Sequence, residues 1–156
     1  MKWFDQYVGP SFSMIGWSIF VGPSVRGRDP DELKAAIERI PLKERRIAWS
    51  KAIYNTFSAR ELAESARRTM LGVQRLEAAL RERPWIAGST FSLADINGFN
   101  LCYGLPMLQR PVLASDAKTP ALMEWLRKIY ERPATQKTWA MGRTEMAKRV
   151  TYLKRP

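Results

Sequence analysis

Few side chains in this chain could do chemistry, and their types narrow what that chemistry could be. There is one cysteine, Cys102, and no histidine. Without imidazole there is no Ser-His-Asp triad, no His-paired thiolate and no zinc site of the usual kinds. Cys102 falls between Leu101 and Tyr103 in a helical stretch, so a packed core thiol fits better than a nucleophile that nothing activates. Ser92 and Asp95 pair a hydroxyl with a carboxylate, but their spacing is that of a helix start. The Ser92 hydroxyl can accept from the Asp95 N–H while the Asp95 carboxylate reaches back to the Ser92 N–H. Phe91 and Ile96 take the flanking N′ and N4 positions of a hydrophobic staple. Ser92 and Asp95 are thus expected to act on folding, each on the order of 1 kcal/mol. Trp3, Tyr7, Met14 and Trp17 recur at helical spacing, and Tyr103 follows Cys102. Aromatics so placed are ordinarily core, yet they could also wall an apolar pocket. Asn97 and Asn100 interrupt the helix after Asp95, either bonding neighbours in the core or lining such a pocket.

The elements that must position these residues read as helices throughout. Trp3 to Phe20 forms the first, bent at Pro10, which lacks an N–H and crowds the Gln6 carbonyl. Its second face carries Phe4, Val8, Ile15 and Ile19, so both sides are apolar and both should be covered. Gly22-Pro23 should end it. Asp29-Pro30-Asp31-Glu32 starts another helix, with Asp29 as cap, Pro30 at N1 and acids at the positive end. Leu33, Ile37 and Ile40 make its inner face. Ser58 and Glu61 form a second capping box ahead of a long helix over about Ala59 to Arg83, with a stripe of Leu62, Ala66, Val73, Leu76 and Leu80. Glu64/Arg68 and Glu77/Arg81 are i,i+4 pairs expected on its wet side. Thr119-Pro120 opens a helix around Trp125 with Leu122, Leu126 and Ile129 inward, and Pro133 should end it. No run alternates with period two, so no strand is expected.

Composition agrees with one all-α domain over residues 1–156, its tail from about Gly142 being the least defined part. Hydrophobic residues make up 46% of the chain, too many for a disordered one. The uncharged run Gln6–Val25 matches a bilayer span of about 20 residues, but Pro10, Pro23, Gly9, Gly16 and Gly22 argue for a kinked helix outside the membrane. One unpaired cysteine and no secretory signal point to the cytoplasm. Lys and Arg number 26 against 15 Asp and Glu, for a net charge of +11. Between Asp31 and Pro84 the two signs interleave, as on solvated helix faces. The excess gathers after Glu131, in Arg132, Lys137, Arg143, Lys148, Arg149, Lys154 and Arg155, as a basic last helix and tail. No zinc-finger, RRM or helix-turn-helix signature accompanies it, so nucleic acid is not the expected partner.

The run Trp85-Ile-Ala-Gly-Ser-Thr-Phe-Ser-Leu-Ala-Asp-Ile96 closely resembles the start of the central helix in the C-terminal, all-helical domain of glutathione transferases. Thr119 to Leu126 and Tyr130-Glu-Arg-Pro-Ala134 are similar to that family's late helix and its exit. Ile40-Pro-Leu-Lys-Glu-Arg-Arg-Ile-Ala-Trp49, Tyr7-Val-Gly-Pro10 and Ile15-Gly-Trp17 resemble the β-etherase-like branch. The resemblance implies a bundle of about five to seven helices, in keeping with the helical periodicity. It implies glutathione as cosubstrate, an apolar aromatic electrophile, and a pocket whose candidate wall here is Trp3, Tyr7, Met14, Trp17 and Tyr103.

In that family a thioredoxin-like domain binds glutathione and activates its thiol. This chain opens inside what would be the first C-terminal helix, and no strand-helix-strand pattern precedes it. The family's catalytic residues therefore have no positions here. No catalytic residue, resident cofactor or metal is expected in the chain, and alone it should be inactive. Two functions follow from the resemblance. One is the substrate-pocket half of an enzyme for glutathione-dependent transfer or ether cleavage, working once a thioredoxin-like domain is supplied. The other is a stand-alone protein-binding or assembly module. Either would engage a second copy or a thioredoxin-like partner through the N-terminal helix.

Overall fold

A computed structural model of the chain describes residues 2–17, 22–108, 113–142 and 150–155. The described residues contain eight α-helical segments and no strand. An isolated bridge joins Trp85 and Gly88. The chain divides into two compact units, residues 2–69 and 70–156.

In the first unit a π-helical turn, Phe4–Val8, leads into α1 (Gly9–Gly16). The bend expected at Pro10 takes this form. Pro10 cannot donate to a carbonyl one turn back, and a widened turn relieves the clash of its ring with that carbonyl. Val8 and Ile15 are buried, while Trp3, Tyr7, Met14 and Trp17 are half-buried. Ile19 and Phe20 lie outside the described residues. Gly22-Pro23 opens α2 (Gly22–Val25), where proline costs no hydrogen bond; the residues that link it to Trp17 lie outside the described ones. A Cβ at Gly22 would sit 2.6 Å from the Ala52 carbonyl oxygen, so the close approach of α2 to α4 requires glycine. α3 (Pro30–Glu38) begins as expected, with the Asp29 carboxylate accepting from Asp31 N at 3.0 Å and Glu32 N at 2.9 Å. Leu33, Ile37 and Ile40 are half-buried. α4 (Lys43–Tyr54) packs against α2 and α3 and ends at Asn55, whose φ of 54° is the left-handed stop that Asn tolerates. α5 (Ala59–Glu82) starts with the expected second box: Ser58 N donates to Glu61 at 2.8 Å and Glu61 N to the Ser58 hydroxyl at 3.2 Å.

The second unit holds the later part of α5, α6 (Leu93–Cys102), α7 (Pro120–Tyr130), α8 (Pro133–Ala140) and a 3₁₀ turn, Val150–Leu153, and α7 packs with α6, α8 and that turn. Val73, Leu76, Leu80, Phe99, Cys102, Leu122, Leu126 and Ile129 are buried, as their spacing requires. Glu77 departs from expectation. It is buried rather than on the wet side, and its carboxylate accepts from Leu122 N at 2.8 Å and Ala121 N at 3.3 Å as well as from Arg81 at 2.8 Å. The start of α7 is thus capped from α5, because the Thr119 hydroxyl is turned to the Ser115 carbonyl at 3.1 Å. Pro133 does not simply end α7. It opens α8 one turn later. The tail is not a free basic arm either: Val150 and Leu153 are buried against α7, and Arg155 pairs with Glu124 and Glu131 at 2.8 and 2.7 Å. Arg143, Lys148 and Arg149 lie outside the described residues. The helix count slightly exceeds the expected one because α2 is a single turn. No described helix is long and apolar enough to cross a membrane.

Candidate functional site

Asp95 is wholly buried, and both of its carboxylate oxygens are in use. Oδ2 accepts from Ser92 N at 2.9 Å and from the Ser92 hydroxyl at 3.0 Å. Oδ1 accepts from Ile86 N and from the Trp125 indole N–H, each at 2.9 Å. The reciprocal capping box read from the sequence is present, with Ser92 also accepting from Ala94 N at 3.3 Å. The two bonds to Oδ1 are additional. They tie the loop before α6, and the core of α7, to a single side chain. Gly98 tightens the same junction: a Cβ there would lie 2.6 Å from Ile86 Cδ1 and 3.3 Å from the Trp125 ring. Gly88, at φ +141°, lets the loop turn where other residues would be strained.

This junction sets which face of α6 looks outward. Leu93 is 71% exposed and Ile96 is 53% exposed. Both border a cleft of about 700 Å³ between α6, the end of α7 and α8. Its walls include Phe91, Tyr103 and Trp139, with Asn97 and Asn100 as polar lining. Arg132 places its guanidinium 3.8 Å over the Phe91 ring, and Phe91 meets Trp85 edge-on at 5.1 Å. Tyr103 and Trp139 meet edge-on at 5.2 Å. The Tyr152 hydroxyl donates to the Tyr103 carbonyl at 2.6 Å, so the tail braces the far end of α6. The ionisable side chains that line the cleft are Tyr103, whose phenol burial pushes up, and the cation Arg132. Among the described residues no carboxylate, thiol or imidazole lines it. The cleft is built to bind, not to move protons.

The remaining pocket candidates lie in the other unit. Trp3 stacks on Tyr7 at 6.0 Å, Arg68 covers Tyr7 at 5.8 Å, and Trp17 packs on Trp49 at 4.8 Å. Met14 and Pro10 border a smaller cavity of about 300 Å³ against α5. Its acids, Glu61 and Glu64, are held by Lys51 and by Arg67 and Arg68, so both carboxyls sit far below the usual range, at about 2. Cys102 is buried, and burial pushes its thiol up to about 12, which rules it out as a nucleophile. No cluster of metal-ligating side chains occurs among the described residues. Among the described residues the larger cleft presents one cation, Arg132, and no acid, whereas the smaller sets Arg60 and Arg68 beside the paired Glu61 and Glu64.

Sequence reading missed Glu77, Arg132, Trp139 and Tyr152 as positioning groups. Each acts on residues far away in the chain, and no local motif marks such a partnership.

Comparison with known proteins agrees with this architecture. Residues 9–133 match the glutathione S-transferase C-terminal domain family. Protein LigF of Sphingobium sp. strain SYK-6 is 32% identical over 160 residues, covering 99% of this chain and 59% of LigF. Glutathione S-transferase 2 of Saccharomyces cerevisiae is 33% identical over 66 residues, or 42% of this chain and 27% of the yeast protein. The crystal structure of the beta-etherase LigF superposes with a TM-score of 0.80 at 29% identity, again over 90% of this chain and 59% of that one. The chain thus spans about three-fifths of LigF. The match over residues 9–133, with which the likeness to LigF agrees, places the chain in the glutathione S-transferase C-terminal domain family.

Proposed function

We propose that this domain is the substrate-side half of a glutathione-dependent enzyme that cleaves or substitutes apolar aromatic ethers. The supporting observation is the similarity to a beta-etherase along 99% of the chain. The thiol chemistry then belongs to a thioredoxin-like domain, since the chain's one thiol, Cys102, is locked in the core. In this reading Trp3, Tyr7, Met14 and Trp17 offer aromatic and thioether surface in the first unit, and Tyr103 offers aromatic surface separately, in the cleft of the second. The open face of α6 supports docking of such a thioredoxin-like domain. Leu93 and Ile96 stand exposed beside an aromatic cleft, as expected for a surface that an apolar partner covers. The N-terminal helix offers a second contact of this kind, to a further copy of the chain. The domain works in the cytoplasm.

Complementation tests this. The purified chain is mixed with a separately produced thioredoxin-like domain of the same family, glutathione and a model β-aryl ether. The chain alone should give the uncatalysed rate, and the mixture should turn over. Leu93→Asp with Ile96→Asp should abolish complementation without unfolding either protein. Turnover by the chain alone overturns the reading, as does a stable complex of the two domains that stays inactive on all aromatic ethers tried.

A further inference from the structure

Arg132 has no role in the reading above, although it lines the cleft between α6, the end of α7 and α8. It is half-buried, and among the described residues no carboxylate pairs with it. Its neighbour Glu131 is taken by Arg155 at 2.7 Å. The Phe91 ring covers one face of the guanidinium at 3.8 Å, which leaves the in-plane N–H donors open. Beside it α8 begins without a side-chain cap and with Pro133 at N1, so the N–H groups of Ala134 and Thr135 have no acceptor within the helix. Both residues line the same cleft. The end of the cleft next to Phe91 therefore gathers donors and positive charge with no acid to answer them. The end next to Tyr103, beyond the far end of α6, is aromatic. Trp139 follows Arg132 by seven residues, about 10 Å of helix rise, and meets Tyr103 edge-on at 5.2 Å. The two rings stand at 79° and form a corner that takes the face and the edge of a further ring.

We infer that this cleft binds an elongated aryl carboxylate, with the carboxylate on Arg132 and the terminal ring in the corner of Tyr103 and Trp139. The lining selects the charge. A carboxylate presents two coplanar oxygens, which match the guanidinium fork. A neutral aromatic ligand would fill the corner but leave the half-buried cation without a counter-charge. A nucleotide would set a doubly charged phosphate against a single guanidinium, with no lysine and no second arginine among the lining residues. The separation of the two ends selects the length. Benzoate, with its ring next to the carboxylate, cannot reach both, whereas a two-ring acid such as biphenyl-4-carboxylate can. The cleft volume of about 700 Å³ lies within the roughly 300–1,000 Å³ of ordinary ligand sites. Such binding needs neither Leu93 nor Ile96 nor a thioredoxin-like domain, so it goes beyond the docking proposed above.

The test is calorimetric titration of the whole chain with biphenyl-4-carboxylate, beside benzoate, biphenyl-4-carboxamide and adenosine monophosphate. The two-ring acid should bind at least about tenfold more tightly than each of the others. It should also shift the Trp139 indole N–H resonance, identified through Trp139→Phe. Arg132→Gln should weaken the acid about tenfold and leave the carboxamide within about twofold. Lys137→Gln, the same loss of charge at an exposed position of α8, should change acid binding by less than about twofold. Trp139→Leu should weaken acid and carboxamide alike, about tenfold. Arg132→Lys serves if the glutamine perturbs the fold: it keeps the charge but not the fork, and should still weaken the acid. Absence of binding at millimolar acid overturns the assignment. So does benzoate, the carboxamide or the nucleotide binding as tightly as the two-ring acid, or equal loss with Lys137→Gln. Each of these results leaves the complementation experiment standing, because that one rests on Leu93, Ile96 and an apolar ether.

Discussion

Replacing Asp95 by alanine should nearly unfold the second unit, and the size of the effect follows from its four hydrogen bonds. Loss of the capping interactions at Ser92 costs about 1 kcal/mol. The Ile86 N–H and the buried Trp125 indole N–H each lose a charged acceptor at 2.9 Å with no replacement. An orphaned buried donor costs about 1–3 kcal/mol. The total is about 3–7 kcal/mol, against about 5–15 kcal/mol for the stability of a typical domain. Ser92→Ala removes only the cap on the half-buried side and should cost about 1 kcal/mol. Asp95→Asn keeps one acceptor oxygen for Ile86 and Trp125 but turns an NH₂ toward the Ser92 N–H, so it should fall between the two. Denaturant melts followed by circular dichroism give the three midpoints. A double-mutant cycle of Asp95→Ala with Trp125→Phe should show strong coupling, because the two changes remove the same bond. If Asp95→Ala shifts the midpoint no further than Ser92→Ala, the central place given to this carboxylate is wrong.

Glu77→Ala should cost about 1–2 kcal/mol by uncapping α7, while Arg81→Ala on the exposed partner changes little, as paired thermal melts would show. Gly98→Ala should destabilise by about 1–3 kcal/mol through overlap with Ile86, and Ile86→Val in the same chain should recover part of the lost melting temperature. The Cys102 thiol is raised from an ordinary 9.0 to about 12, so it adds stability that is fully present below pH 9 and is lost as pH rises toward 12. Alkylation by a thiol reagent at pH 8 should accordingly proceed no faster than global unfolding. Light scattering of the wild type beside Trp3→Glu and Tyr7→Lys tests self-association through the first helix. A monomer at all accessible concentrations, or an assembly that both substitutions leave intact, would refute it.

Much of the local structure was legible in single stretches of sequence, because capping and periodicity are short-range. Asp29, Ser58 and Ser92 announce the starts of α3, α5 and α6, since a side-chain oxygen two or three residues before an orphan N–H needs no other context. The stripes Val73-Leu76-Leu80 and Leu122-Leu126-Ile129 announce which face is buried, since helical geometry alone aligns them. The helical class followed from these, and the family from the resemblance of the Trp85–Ile96 run and its companions to known members. Tertiary structure decided the rest. Glu77 looked like half of a surface ion pair until α7 brought its bare N–H groups within reach, and a carboxylate is buried only where such donors meet it. Asp95 looked like a local cap until Ile86 and Trp125 converged on its second oxygen. Whether Ile96 or Val8 faces outward could not be read from either helix alone, because each carries apolar residues on more than one side. Exposure depends on what the rest of the chain leaves uncovered: α7 and the loop at Ile86 claim one side of α6, and the cleft keeps the other.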